Sequence, residues 1–300
     1  MNSSHHRHLV RSGESFACAP FWTGFLLAAV NLMLRPCVLA QVLLFSVNAA
    51  KPLSAATVSI WGDSDANIAD VVAKVSGAGT FDSVVGRNLS TQGLPTLSQL
   101  STFEAILVFG GHIQWTSSLR TSAGNLLAQY ADQGGGVVTS TFVLGSTLDS
   151  WVLGGQWANS RYQVMIPVTS QSQGTELTLG TVYQPTHPIM SDVLSFDGGQ
   201  MSYRANITSF APGIQRIADW SNGAPLIAIK EASGMRRRVD LNFYPPSSSI
   251  ASSLWNVGTD GDEIMANSLQ WAAVPEPSTI VLAGISLFAF ALFSLRNRRK

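Results

Sequence analysis

Residues capable of catalytic chemistry are few in this 300-residue chain and unevenly placed. Three of its five histidines, His5, His6 and His8, fall in the first eight residues, leaving His112 and His187. Both cysteines, Cys18 and Cys37, precede residue 57. The stretch 57–273 therefore has no thiol for nucleophilic attack, for a zinc or iron–sulfur site, or for a disulfide. A serine nucleophile needs a histidine base and an acid that orients it. Ser140, His112 and Asp63 each stand at the end of an apolar run, so adjacent strands can bring the three to one sheet edge. No Gly-x-Ser-x-Gly elbow surrounds Ser140. A histidine after Gly110-Gly111 is more often a solvated loop residue, and His187, between Thr186 and Pro188, fits a rigid turn better than a base.

Carboxylates are the next candidates. Asp63, Asp65, Asp260, Asp262 and Glu263 suggest calcium, but Asp63-Ser64-Asp65 is too short for a loop that spreads its ligands over about twelve residues. Turn and helix-cap roles account for Asp63, Asp65 and Asp260, and neither a metal nor a cofactor is expected. Seven of the eight tryptophans lie in 57–273. Trp115, Trp151 and Trp157 fall between expected elements; packing into the core or a loop is the favoured reading, and stacking on a sugar ring is the alternative. Gly134–Gly136 ends a helix and precedes a strand, the reverse of the order in a phosphate-binding loop. Arg236-Arg237-Arg238 reads as the solvated start of a strand.

The elements that must position these residues alternate in type. Strand signals cover Thr57–Trp61, Phe81–Val85, Glu104–Phe109 and Val137–Phe142. Helical spacing of apolar residues covers Asn67–Ser76 and Leu119–Tyr130. Strands joined by helical crossovers predict a parallel sheet with helices on both faces. Farther on, Arg161–Val168 and Glu176–Tyr183 read as strands, and Pro225–Lys230 with Arg237–Phe243 as a hairpin. Asp260 with Glu263 predicts a capping box at the start of a last helix.

Net charge is formally zero, with 18 basic and 18 acidic residues, but the charges are segregated. Arg7, Arg11, Arg35 and Lys51 precede residue 57, and Arg296, Arg298, Arg299 and Lys300 lie in the last five residues. That leaves ten basic and sixteen acidic residues in 57–273, a net charge of −6. An acidic body lacks the basic footprint of a nucleic-acid-binding protein.

The ends read as addresses. From Met33 the text holds Arg35, an apolar run Cys37–Val47, and small residues at Ala49 and Ala56, the anatomy of a cleavable export signal. Met33 is the expected translation start, and signal peptidase and the export machinery are the expected partners. At the other end, Pro275-Glu276-Pro277 precedes seventeen uncharged residues, Thr279–Leu295, and then Arg296-Asn297-Arg298-Arg299-Lys300. Seventeen residues is the lower limit of a membrane-spanning helix. The basic cluster orients it, tail inside and body outside the inner membrane. The two prolines keep the motif extended and accessible.

These three parts together resemble the PEP-CTERM sorting signal. The resemblance implies that Pro275, Glu276 and Pro277 are recognised by an exosortase, a membrane-embedded cysteine protease or transpeptidase that releases or re-anchors exported proteins. It also implies association with extracellular polysaccharide. The body resembles the glutamine-amidotransferase-like superfamily, of flavodoxin-like fold, in stretches 103–115, 126–138, 187–190, 223–231 and 239–272. Catalytic members carry a cysteine on the turn after the strand that here reads Gly136 to Phe142. Here Thr139-Ser140-Thr141-Phe142 stands in its place, which argues against glutaminase activity. The expectation is a three-part chain: export segment 1–56, α/β body 57–273 with added β hairpins, and sorting signal 274–300 with a transmembrane helix at 279–295. The body is expected to be a non-catalytic binding module at the cell surface or in the matrix. A hydrolase with a non-cysteine nucleophile and a structural coat protein are the alternatives.

Overall fold

β-branched and aromatic residues at Thr57–Trp61 build β1 (Ala56–Gly62), whose last five residues are buried. A strand covered on both faces reads as a continuous apolar run. The computed structural model describes residues 56–79, 81–145, 150–232 and 235–274. Helix α1 (Asp65–Ala78) follows, burying Ile68, Val71 and Val75 at helical spacing. β2 (Phe81–Asn88) leads into two single-turn helices, α2 (Leu89–Gln92) and α3 (Leu97–Leu100). β3 (Ala105–Val108) is buried throughout. Helix α4 (Ser117–Asp132) is capped by Thr116, whose Oγ1 accepts from Leu119 N at 3.1 Å. It delivers the chain to β4 (Gly136–Ser140).

The second half adds β5 (Gln171–Ser172), β6 (Leu179–Val182), β7 (Arg204–Ala205), β8 (Ile214–Trp220), β9 (Pro225–Ala232), β10 (Met235–Leu241) and helix α5 (Gly261–Ala273). Eight strands form one sheet in the order β2-β1-β3-β4-β10-β9-β8-β6. The first five run parallel and the rest antiparallel. β5 and β7 pair separately. The protein is thus an α/β fold on a mostly parallel sheet.

Successive strand residues face opposite ways, so each face has its own core. Ile60, Leu107 and Val138 pack with Val71 and Val75 of α1 and with Ile264 and Leu269 of α5. Trp61, Ile106, Val108 and Val137 pack with Ala123, Leu127 and Ala131 of α4. The expected helices on both faces are present.

Three local expectations fail. Arg161–Val168 is irregular beyond a turn at its start, paired only by the single bridges Met165–Phe210 and Gly145–Val168. Its Met165 N–H donates to the Asp240 carboxylate at 2.7 Å, while Ile166 N donates to Ser209 O at 3.0 Å and Ala211 N to Val164 O at 2.9 Å beside the Met165–Phe210 bridge. The strand expected at Glu176–Tyr183 shortens to β6, while β8 forms where no strand was expected. Asp260 occupies the N-cap position of α5 without capping it. Its Oδ2 accepts from Leu194 N and Ser195 N, both at 2.7 Å, and so ties a loop to the helix start. The export segment and the transmembrane stretch 279–295 lie outside the described residues. Among the described residues no helix is long and apolar enough to cross a membrane.

Candidate functional site

Sheets of this order bind ligands at the carboxyl ends of neighbouring strands whose connections diverge. Here that position lies between β1 and β3. Asp63 follows β1 and is fully buried. Its Oδ2 accepts from Gly111 N at 2.9 Å, His112 N at 3.1 Å and Trp151 Nε1 at 2.8 Å. Asp63 Oδ1 is buried with no hydrogen-bond partner among the described residues. One carboxylate thus fixes the loop after β3 and an indole from 88 positions away.

Asp63 and Ser140 stand at the carboxyl ends of β1 and β4, with β3 between those strands and His112 on the loop after it, and among the described residues no relay joins the three. Asp63 binds the backbone N–H of His112, and the His112 side chain is exposed. Ser140 is fully buried at the end of β4, with Oγ 2.9 Å from Leu241 O and 2.5 Å from Phe243 O. A hydroxyl spent on two backbone carbonyls fastens β4 to the end of β10. Among the described residues no hydrogen bond joins Ser140 to an imidazole.

Aromatic rings fill the space above. Phe142, on the turn after β4, lies 5.2 Å from Tyr203, 5.4 Å from Tyr244 and 5.7 Å from Trp151, ring centroid to ring centroid. Phe109 meets Tyr244 edge-on at 6.1 Å. The Tyr244 hydroxyl accepts from Asn67 Nδ2 at 2.9 Å, and burial pushes its pKa well above the usual phenol value. Beside Tyr203 and Tyr244, between Ser202 and Leu254, remains a cavity of about 10 Å³, room for about one water molecule.

The tryptophans weighed as sugar-stacking residues are buried. Trp115, Trp151 and Trp157 are only 4%, 7% and 4% exposed. Trp151 donates to Asp63 and to Ile113 O at 2.9 Å, and Trp157 stacks on Tyr162 at 5.7 Å. Large rings that bridge a loop to the sheet gain more by desolvation than by waiting in water. An open hollow of about 430 Å³ lies over this stack, lined by Gly155, Gln156, Ala158, Asn159, Arg161 and Tyr162. Arg161 leans over Tyr162 and pairs with Asp132 at 3.0 Å, but both ends of that pair are solvent-exposed, so it contributes little. Among the described residues no three His, Cys, Asp or Glu side chains gather as a ligand set.

One buried polar seam has no counterpart in the reading of the sequence. Asp240 of β10 accepts from Thr139 Oγ1 at 2.6 Å and from Met165 N at 2.7 Å. Burial raises its pKa to about 6. Two residues on, Asn242 exchanges bonds with Ala205 N at 2.7 Å and Ala205 O at 3.0 Å, and donates to Pro225 O at 2.9 Å. The alternation Val239-Asp240-Leu241-Asn242-Phe243 carries the signal, since polar residues inside a strand buried on both faces must find partners.

Past α5 the chain reaches Val274, half-exposed, and then the segment outside the described residues that holds Pro275, Glu276, Pro277, Arg296, Arg298, Arg299 and Lys300. Residues 273–299 match the PEP-CTERM protein-sorting motif. The PEP-CTERM motif therefore begins at Ala273, the last residue of α5. No curated protein matches the sequence. Among solved structures, the carbohydrate deacetylase Agd3 is similar at 11% identity and TM-score 0.42, over 72% of this chain and 32% of that one. This chain thus spans about a third of the deacetylase's length. A glutamine amidotransferase from Thermotoga maritima is similar at 8% identity and TM-score 0.40, over 64% of this chain and 78% of that one. The glutaminase domain of Trypanosoma brucei CTPS is similar at 10% identity and TM-score 0.39, over 74% and 98%. At such scores these likenesses bear on neither activity nor substrate.

Proposed function

We propose that this chain is an exported protein sorted to the cell surface by an exosortase, and that its body is a non-catalytic binding module. The match of residues 273–299 to the PEP-CTERM sorting motif carries the sorting half of this reading. In it, residues 1–56 are the export signal cut by signal peptidase. Residues 279–295 hold the precursor in the inner membrane, with Arg296, Arg298, Arg299 and Lys300 inside. Pro275, Glu276 and Pro277 are the extended segment that the exosortase reads.

The closed carboxyl edge supports the second half. Phe142 follows β4, and its ring packs against Trp151, Tyr203 and Tyr244 and fills the edge. Ser140 is held by two carbonyls and His112 points to solvent. Nucleophilic catalysis needs a base within hydrogen-bond reach of the hydroxyl. The surface polysaccharide of the host cell is the ligand class to test first, and the open hollow at Gln156, Asn159 and Arg161 offers exposed amide and guanidinium groups for it.

The test follows the protein, tagged within 57–273, in cells with and without their exosortase. The expected result is a shortened form outside the inner membrane that becomes full-length and membrane-bound when the exosortase is deleted. An unchanged full-length membrane form in both strains overturns the sorting reading. Turnover of an ester or glycan panel by wild type, lost in His112→Ala, overturns the non-catalytic one.

A further inference from the structure

We infer that the amino-terminal edge of the sheet faces the lipid bilayer and that the carboxyl edge, with Asp63 and Phe142, points away from it. The inference rests on the reading of 279–295 as a membrane anchor and adds the orientation of the body above it.

The chain enters and leaves the body at one edge. At the start of β1, Thr57 N donates to Glu104 Oε2 at 2.8 Å, and Glu104 N donates to Thr57 O at 2.9 Å. Glu104 O in turn accepts from Gly136 N, the first residue of β4, at 2.9 Å. A Cβ placed on Gly136 would lie 2.3 Å from Ala272 O, so the last turn of α5 rests directly on that strand start. Three contacts in succession therefore lead from the first strand residues to the last helical ones. The other end of α5 is at the opposite edge: Gly261 packs on Trp255, whose indole donates to Pro245 O at 2.7 Å, beyond the carboxyl end of β10.

The exit point is clamped. Trp271 is held by the Arg237 guanidinium, 4.7 Å from its ring centre, and by the His187 ring at 5.1 Å. Arg237 Nη1 also donates to Trp271 O at 3.4 Å. A cation over the indole and on a terminal carbonyl both stabilise the end of a helix. Ala272 and Ala273 are buried up to the start of the motif.

From Ala273 to Thr279 only residues 274–278 intervene. Such a link spans at most about 20 Å when fully extended, and it must also cross part of the headgroup layer. The 13 residues of α5 are themselves about 20 Å long. Turning the carboxyl edge toward the lipid would require the link to run the whole length of α5 before reaching the membrane. It is too short for that.

The test places single cysteines in a full chain carrying Cys18→Ser and Cys37→Ser. Thr102→Cys and Gln133→Cys mark the amino edge, and Ala66→Cys and Gln114→Cys mark the carboxyl edge; all four positions are exposed. Each variant is labelled with a fluorophore and reconstituted into phosphatidylcholine vesicles that carry a headgroup-attached quencher in both leaflets. The expected result is loss of most of the fluorescence at residues 102 and 133 and little loss at 66 and 114. Equal or reversed quenching in a chain that floats with the vesicles overturns the orientation while leaving the anchor intact. A full chain that floats no better than one ended at Val274 overturns the anchor and the orientation with it.

Discussion

Asp63 Oδ2 takes three N–H donors at once, so this one side chain decides whether the β1 and β3 loops stay together. Asp63→Ala leaves all three donors without that acceptor and is expected to cost about 2–4 kcal/mol. Asp63→Asn keeps an acceptor of the same shape and should cost less, and calorimetric melting of the two variants checks the order. Asp240 makes a pH prediction. Its folded pKa of about 6 stands above the unfolded value of 3.8. The folded state therefore holds the proton more tightly, and the group's contribution is present below the unfolded value and lost as pH rises through 6. Glu263, raised to about 7 by its hydrogen bond with Asp262 and by burial, acts in the same direction. Burial lowers the pKa of His187, which acts in the opposite one. The difference between wild type and Asp240→Asn isolates the group. The asparagine variant is expected to be the more stable at pH 7, by on the order of 2 kcal/mol, and to lose that advantage by pH 4. A constant difference between the two denaturation curves would refute this. Little of this chemistry is legible at residue scale. Nothing around Trp151 names Asp63 as its partner across 88 positions, or Asp240 as the acceptor for Met165 across 75.

At the scale of elements, legibility tracks periodicity. β1, α1, β3 and α4 were readable because each buries a regular apolar set against the sheet, whatever its distant partners. Arg161–Val168 has the composition of a strand but pairs only at single residues, Met165 with Phe210 and Val168 with Gly145, while its Met165 N–H goes to the Asp240 carboxylate. The Asp260 cap failed for a related reason, its carboxylate being claimed by Leu194 and Ser195. The junction of β4 and α5 gives an element-scale prediction. Gly136→Ala puts a methyl 2.3 Å from Ala272 O, where backbone lies on both sides and no flexible side chain can yield. It should lift the end of α5 from the sheet and destabilise the body by about 1–3 kcal/mol. Hydrogen exchange of the α5 amides reads the effect, and protection equal to wild type would show that the junction gives way at no cost.

For the whole molecule, the sequence marks out the sorting end sharply and says less about the body, because an address is read as a local string while a binding surface is assembled from distant loops. The contact path Thr57–Glu104–Gly136–Ala272 has a consequence of its own. A domain whose first and last residues lie at one edge can be rewired without being reshaped, because closing a short gap costs little chain entropy. Joining 273 to 57 through a short Gly/Ser linker, and reopening the chain between the exposed residues Gly174 and Thr175, is expected to yield a folded circular permutant. Its melting curve should be cooperative and its far-ultraviolet dichroism that of the parent; an unfolded permutant would refute the expectation. In a permutant, fused sequences would emerge beside β6, a different place on the surface from the one where the natural chain emerges. The position of the sheet's two ends thus becomes something that can be chosen, not a fixed property of the fold.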